Sequence, residues 1–160
     1  MDERQQITYD VIGTIHTSIE SPEDGPIQPN YADTNTGRVT LHEQYADGLT
    51  DLEGFSYVVL IYHCHGVANG YSLRLEPFLD ETHRSVFATR APRRPNSIGM
   101  SVVALEEVEG RQLWVREIDI VDGAPLLDLK PYVPAFDSRQ GATGWMSPPD
   151  EAPPADDRFV

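Results

Sequence analysis

The chain holds one cysteine, Cys64, and one lysine, Lys130, the rest of its 12 basic residues being arginine. A lone thiol closes no intramolecular disulfide, so the fold does not depend on an oxidising compartment. No apolar run approaches the roughly 20 residues that cross a bilayer, and the opening MDERQQITYD is acidic and polar where a secretory leader would be apolar. These absences predict a cytoplasmic protein with no membrane partner. Also missing are the G-x-G-x-x-G and Walker phosphate cradles, the G-x-S-x-G elbow, any C-x-x-C pair and any internal repeat. The common nucleotide-binding and hydrolase folds lose weight accordingly.

What is present is a chain of 160 residues, 39% hydrophobic and 24% charged, the size and make-up of one globular domain. Against 12 basic residues stand 26 acidic ones, a formal charge of -14, with a sequence pI near 4.5. Such a field repels nucleic acid and acidic membranes as a whole. The acids are spread along the chain instead of forming one block. In molar salt the Debye length falls to about 3 Å, so self-repulsion is screened while carboxylates keep the surface hydrated. The composition predicts a salt-loving cytoplasm, of the kind found in halophilic archaea.

Residues 7–15 (ITYDVIGTI) and 38–42 (RVTLH) read as strands; between them SPEDGPIQPNYADTNTG, crowded with Pro, Gly, Asp and Asn, predicts a long surface loop. A short helical turn is expected around Glu43–Leu49. FSYVVLIYH is apolar without alternation, the pattern of a strand buried on both faces at the centre of a sheet. MSVVALEEV and QLWVREIDI flank Glu109, Gly110 and Arg111, the best hairpin signal in the chain, and LLDLKPYV adds a strand. From about Asp137 onward Pro, Asp and small residues dominate, which predicts a domain over 1–137 and a mobile, acidic, Pro-rich tail over 138–160. About seven short strands and hardly any helix give the expected fold: mainly β, a small β-barrel with long loops, few short helices and a flexible C-terminal tail.

Three clusters can carry chemistry. From Thr82 to Leu105 there is no Asp or Glu, although acids occur about once in six residues overall, and the window holds Arg84, Arg90, Arg93 and Arg94. Prolines 92 and 95 stiffen it. An acid-free basic island in so acidic a chain suits phosphate or another anion, since guanidinium forks match its oxygens; the plainer reading is a loop whose arginines pair with carboxylates elsewhere. His63, Cys64 and His65 end the apolar strand, with alternation placing the histidines on one face and the cysteine on the other. Two histidines could ligate a metal, but spacing supplies no third ligand, so ordered strand-end histidines and a packed thiol are the favoured reading. The third cluster, IDIVDGAPLLDLKPYVPAFD, interleaves Asp119, Asp122, Asp128 and Asp137 with Gly123, Lys130 and Tyr132. Asp122-Gly123 before Pro125 is a tight-turn signature, which either offers its backbone to a ligand or simply turns a corner.

LEGFSYVVLIYHCH (52–65), VFATRAPRRPNSIGMSVV (86–103) and IDIVDGAPLLDLKPYVP (118–134), in this order and spacing, resemble the TsaA-like or TrmO family of tRNA methyltransferases, over about Tyr9 to Asp137. The resemblance implies a homodimeric β-barrel enzyme that uses S-adenosylmethionine. Its implied substrate is the N6 of threonylcarbamoyl-adenosine, just 3′ of the anticodon, and its partner the tRNA anticodon stem-loop. Carried onto this sequence, the cofactor contacts fall on Gln28, Cys64, His65, Arg90, Met100 and the run Ile120, Val121, Asp122, Gly123 and Ala124. Contacts to tRNA are expected from Arg93, Arg94, Asn96 and Lys130, the local positive charges with a neighbouring amide. No metal is implied. Pro26-Ile27-Gln28 stands where the family has Pro-Arg-Gln, and Asn96-Ser97-Ile98 where it has Asn-Pro-Ile. Any charge contact from the first loop must therefore come from another residue.

Methyl transfer from a sulfonium is an in-line displacement, so positioning is most of the work. An exocyclic adenine amine is a weak nucleophile that loses a proton as the new bond forms, and an acceptor nearby helps. Asp122, Asp128 and Tyr132 are the catalytic candidates, with Tyr132 able to stack the base or donate a hydrogen bond. Two readings compete: a non-catalytic barrel that binds S-adenosylmethionine or RNA as a sensor, and a metal-dependent hydrolase built on His63, His65 and a carboxylate.

Overall fold

The computed structural model describes residues 4–21, 35–67, 70–75 and 84–146. Eight strands are found there: β1 (Gly13–Thr17), β2 (Thr36–Leu41), β3 (Tyr57–His63), β4 (Arg74–Leu75), β5 (Arg84–Ser85), β6 (Ile98–Glu109), β7 (Gln112–Arg116) and β8 (Ala124–Pro131). Six of them close into a barrel in the order β1-β2-β7-β6-β3-β8, every pairing antiparallel, while β4 and β5 form a separate two-stranded ribbon. The mainly β barrel expected from the strand pattern is thus what forms. Closure removes the exposed sheet edges that an open six-stranded sheet would present. Among the described residues, helix is confined to short 3-10 segments at Glu43–Leu49 and Val86–Ala88 and to α1 (Pro134–Asp137).

Alternation along each strand fills the barrel. Ile15, Val39, Val58, Leu60, Leu113 and Leu126 are fully buried inside it. One rim is closed by Leu49 and Leu52, from the segment after β2, and Ile118 and Ile120 join the same core from the β7–β8 connection. Each fully enclosed Leu or Ile contributes about 1.5–3 kcal/mol relative to exposure, which is ample to hold a short chain around a narrow core.

Several strand limits differ from the sequence reading. The first strand starts at Gly13, not near Ile7: main-chain pairing to the neighbouring strands reaches back only to Ile12, which bonds Leu126 and His42, while Ile7 and Tyr9 remain 71% and 69% exposed. The 55–63 strand is not buried on both faces. Val58 and Leu60 point into the barrel, whereas Val59 and Ile61 face outward and are only half-buried, since a closed barrel has one interior and, among the described residues, no second layer covers β3. The β6–β7 hairpin turns at Gly110-Arg111 as expected, with Glu109 opposite Gln112. Its second strand stops at Arg116 instead of running to Ile120. Glu117 takes a left-handed φ of 60°, which turns the chain off the sheet and sends Ile118 and Ile120 into the barrel.

The mobile tail expected over 138–160 falls largely on residues outside the description. Within 138–146 one side chain anchors the segment: Trp145 Nε1 donates to the Ala88 carbonyl at 2.9 Å and its ring lies 5.2 Å from the Arg84 guanidinium.

Candidate active site

Antiparallel closure decides which connections meet. The chain leaves β1, β3 and β7 and enters β2, β8 and β6 at one rim, as the pairings Thr17 with Gly37, Thr36 with Arg116, Ile15 with Ala124 and His63 with Ile98 show. The His63–His65 cluster, the basic island and the Asp122-Gly123 turn are therefore neighbours at that rim although far apart in sequence.

Their contacts are direct. His65 Nε2–H donates to the Asp122 carbonyl at 2.8 Å, which assigns the proton on that ring to Nε2. The Asp122 carboxylate accepts from the Thr17 backbone N–H at 3.0 Å, and His16 Nδ1 stands 4.0 Å from it. Thr17 Oγ1 donates to the Ile120 carbonyl at 2.7 Å, while the Asp122 and Gly123 N–H groups donate to Ile19 and Ile15. Gly123, at φ 87°, needs the freedom of glycine, and a Cβ there would point at His65 Nε2 from 3.5 Å. The turn is thus fixed from both sides before any ligand arrives.

Beside it lies a cleft of about 400 Å³ lined by His63, Cys64, His65, Gly66, Val67, Gly70, Tyr71, Arg94, Pro95 and Ser97. That volume falls within the range of small-molecule sites, roughly 300–1,000 Å³. Its donor set is mixed: an arginine, two histidines, an exposed tyrosine and glycine backbone. An amino-acid headgroup and a nucleoside base can both be met by such groups, so these residues fit S-adenosylmethionine.

The other expected residues are distributed as follows. Gln28 lies outside the described residues. Arg90 is exposed on the basic loop. Met100 is 53% exposed on the outer face of β6, opposite Ile61. Ile120 and Ala124 turn their side chains into the core, leaving only their backbone to the rim. Arg94 Nη1 donates to the Thr89 and Ala91 carbonyls at 3.0 and 3.1 Å, and Arg93 Nε reaches the Gly70 carbonyl at 3.5 Å. These two arginines brace the loop through main-chain oxygens, a role neither sequence reading anticipated. Asn96 is exposed, its carbonyl accepting from Ile98.

Three residues are not brought to this rim. Asp128 lies partway along β8, Lys130 pairs with it at 2.9 Å, and Tyr132 sits beyond the far end of β8, edge-on to Tyr57 at 6.1 Å. Of the catalytic candidates only Asp122 borders the cleft cluster.

Asp119 of the third cluster, given no role by the sequence, is held at this rim by Ser101 and Tyr62, which sequence reading passed over. Ser101, 2% exposed and opposite Leu60, donates its hydroxyl to Asp119 Oδ1 at 2.7 Å and lies 3.3 Å from Tyr62 Oη. With the Ser101 proton committed to the carboxylate, Tyr62 is the donor to Ser101. Burial pushes the Asp119 carboxyl up to about 7, opposed by the Ser101 bond, its own backbone N–H and the Arg90 guanidinium. Burial, then Asp119, pushes the Cys64 thiol up to about 11, with Arg94 opposing. Tyr62 is raised for the same first reason. The available signal was a carboxylate set between Ile118 and Ile120, where an anion has no reason to be unless it is held.

Among the described residues no group of His, Cys, Asp and Glu is arranged to hold a metal ion, and no helix is long and apolar enough to cross a membrane.

Residues 14–138 match the family model described as the tRNA-methyltransferase O N-terminal domain. A probable S-adenosyl-L-methionine-binding protein of Pyrococcus abyssi is 48% identical over 141 residues, covering 88% of this chain and 76% of that protein. A mouse (Mus musculus) protein named tRNA (adenine(37)-N6)-methyltransferase is 40% identical over 94 residues, covering 58% of this chain but only 22% of its own length. The crystal structure of TrmO from Pseudomonas aeruginosa superposes with a TM-score of 0.74 at 35% identity, covering 90% of this chain and 64% of that one. The chain thus spans just under two thirds of the solved TrmO protein and about a fifth of the mouse enzyme. Its barrel, its rim cluster and these likenesses agree: the chain belongs to the tRNA-methyltransferase O family.

Proposed function

We propose that this protein is an S-adenosylmethionine-dependent tRNA methyltransferase that modifies the N6 of adenosine 37, with the threonylcarbamoyl form of that base as substrate. The name of the mouse relative supports the base and atom. The single observation that carries the reading for this chain is the convergence of His65, the Asp122-Gly123 turn and the Arg94-lined cleft at one rim of a family barrel. The family resemblance noted in the sequence motivates the threonylcarbamoyl group.

S-adenosylmethionine supplies an electrophilic methyl on a sulfonium. The chain's own residues do the positioning. His65 locks the Asp122 carbonyl, Thr17 and Ile15 lock the turn from the β1 side, and Arg93 and Arg94 hold the basic loop against the cleft. Fixing amine and methyl carbon in line in this way can supply a large share of the rate, up to about 7–11 kcal/mol in well-oriented systems. In this reading Asp122 takes the proton lost by N6, which its half-exposed carboxylate, oriented by Thr17 N–H beside the cluster, supports. Asn96, exposed on the basic loop, presents its amide to the tRNA backbone in a chain that otherwise repels it, while Arg90 is kept as a cofactor contact.

A homodimer, a cytoplasmic setting and a high-salt habitat complete the proposal; the first follows from the resemblance, the second from a tRNA substrate and the third from the charge of -14.

The test is transfer of labelled methyl from S-adenosylmethionine, in molar potassium chloride, to tRNA with and without threonylcarbamoylation, followed by nucleoside analysis. Label on N6-methyl-threonylcarbamoyl-adenosine from modified tRNA alone is expected. Cofactor binding without transfer would make the protein a sensor, and label on both tRNAs would remove the threonylcarbamoyl requirement.

A further inference from the structure

The three adjacent strands β1, β2 and β7 contain no Asp or Glu, in a chain with 26 acids among 160 residues. Ile15, Val39 and Leu113 fill the barrel, so the residues beside them, His16, Arg38 and Trp114, turn outward. The pairing makes these three direct neighbours, His16 opposite Arg38 and Arg38 opposite Trp114. Their row begins at the rim of the candidate site, because His16 Nδ1 stands 4.0 Å from Asp122 Oδ1. Two strand spacings, about 10 Å, carry it round the outside of the barrel to Trp114. Beyond Trp114 the acids resume on β6, where Glu107 lies opposite it.

Arg38 sets this face apart. Its guanidinium lies 5.7 Å from the centre of the Trp114 ring, and Trp114 is 38% exposed. Among the described residues its side chain makes no hydrogen bond and no ion pair, and its Nε is enclosed without a partner. The cations that the sequence offered to RNA are engaged otherwise: Arg93 and Arg94 on main-chain carbonyls, Lys130 on Asp128. Arg116, on the same face as Arg38, is paired with Glu106. A permanently charged fork braced by an indole and left uncommitted in so acidic a chain suits an anion brought from outside. An aromatic ring beside a guanidinium plane is also what unpaired bases stack on. The other outward residues, Thr14, Thr36, Thr40 and Gln112, are polar and give little of the apolar core that a subunit interface needs.

We propose that the outer face of β1, β2 and β7 docks the single-stranded anticodon loop: a base next to the target adenosine stacks on the Arg38–Trp114 pair, and its phosphate meets the Arg38 guanidinium. This rests on the reading of the protein as a tRNA methyltransferase with its target at the Asp122 rim. The row gives an RNA that the overall charge of -14 repels one local face to land on, about 10 Å from the reacting base.

The experiment is fluorescence anisotropy of a labelled anticodon stem-loop RNA, with and without threonylcarbamoyl on adenosine 37. It is titrated with wild type, Trp114→Ala, Trp114→Phe and Arg38→Gln over a series of potassium chloride concentrations. Calorimetric titration of S-adenosylmethionine and thermal melts on the same samples check that cleft and barrel are intact, and sedimentation gives the particle mass. Trp114→Ala should weaken RNA binding about tenfold, the loss of one stacked base, and Trp114→Phe should recover most of it. Arg38→Gln should weaken binding and lower the slope of log affinity against log salt by about 0.7, the loss of one phosphate contact on a single strand. Cofactor affinity should be unchanged in all three. Should Trp114→Ala fail to fold, the salt slope of Arg38→Gln decides. Folded variants that bind RNA as wild type does overturn the inference and leave the tRNA reading intact. A Trp114→Ala protein of smaller particle mass than wild type makes the face an interface between copies and overturns it too. Wild-type protein that binds S-adenosylmethionine but neither RNA overturns the tRNA reading, and this inference with it.

Discussion

The ring of Tyr62 fills the space in which any residue other than glycine at position 99 would place its Cβ. The two are direct partners across β3 and β6, so the ring reaches along the neighbouring strand to Ser101. A glycine in the first turn of a long strand, otherwise a weakness, is here the seat for an aromatic side chain.

Gly99→Ala should therefore push the ring off its seat and break the Tyr62–Ser101 contact. Overpacking of this kind costs about 1–3 kcal/mol. A fall in Tm of several degrees, with the barrel still formed by circular dichroism, is the expected result; an unchanged Tm would mean that the ring has another place to go.

His65→Ala removes one exposed hydrogen bond and no core contact. Stability should change by less than about 0.5 kcal/mol, whereas affinity for S-adenosylmethionine should drop on the order of tenfold because the Asp122 turn loses its tether. Calorimetry and a thermal melt on the same sample separate the two effects.

Asp119 also bears on stability. A carboxyl raised to about 7 in the folded protein, against an ordinary value of 3.8, keeps a proton that the unfolded chain has released. Stability then falls as pH rises from about 4 through 7 and is level beyond. Asp119→Asn carries no such penalty, so its advantage over wild type should be near zero at pH 4 and grow to on the order of 4 kcal/mol at pH 8. Denaturant melts at the two pH values measure it, and an advantage that shrinks as pH rises would contradict the assigned direction.

Salt should matter globally. With a formal charge of -14 spread over 160 residues, raising potassium chloride from 0.1 M to 3 M is expected to lift Tm by on the order of 10 °C through screening of self-repulsion. A flat melting curve across that range would argue against the high-salt habitat.

Trp145→Ala should loosen the 84–88 segment, which Trp145 holds through Ala88 and Arg84, without unfolding the barrel. Faster hydrogen exchange confined to that segment is the expected signature.

The barrel was legible because each of its strands carries β-branched or aromatic residues and the β6–β7 turn carries Gly110. The convergence of His65 with Asp122 was legible only through family resemblance, since 57 residues separate them. Two things escaped for physical reasons. Hydrophobicity alone does not tell a strand with two covered faces from a barrel strand whose outer residues are half-covered, as with Val59 and Ile61. Nor does spacing tell a carboxylate at a rim from one partway along the wall: Asp122 and Asp128 look equivalent in sequence, yet β8 carries Asp128 away and gives it to Lys130. Asp119 was named among the acids of its cluster, but its hold by Ser101 was not legible, because IDIV reads as strand and the left-handed Glu117 that ends β7 leaves no sequence mark.

The long connections after β1, β3 and β7 all open at one rim, and the opposite rim keeps the tight β6–β7 turn and the 3-10 segment at Glu43–Leu49. Folding instructions and recognition surfaces are thereby kept at separate ends of one cylinder. Lengthening or rewriting a rim loop can alter what the protein grips while the register of the staves stays as it is. A scaffold of this kind can be retargeted piecemeal, one loop at a time.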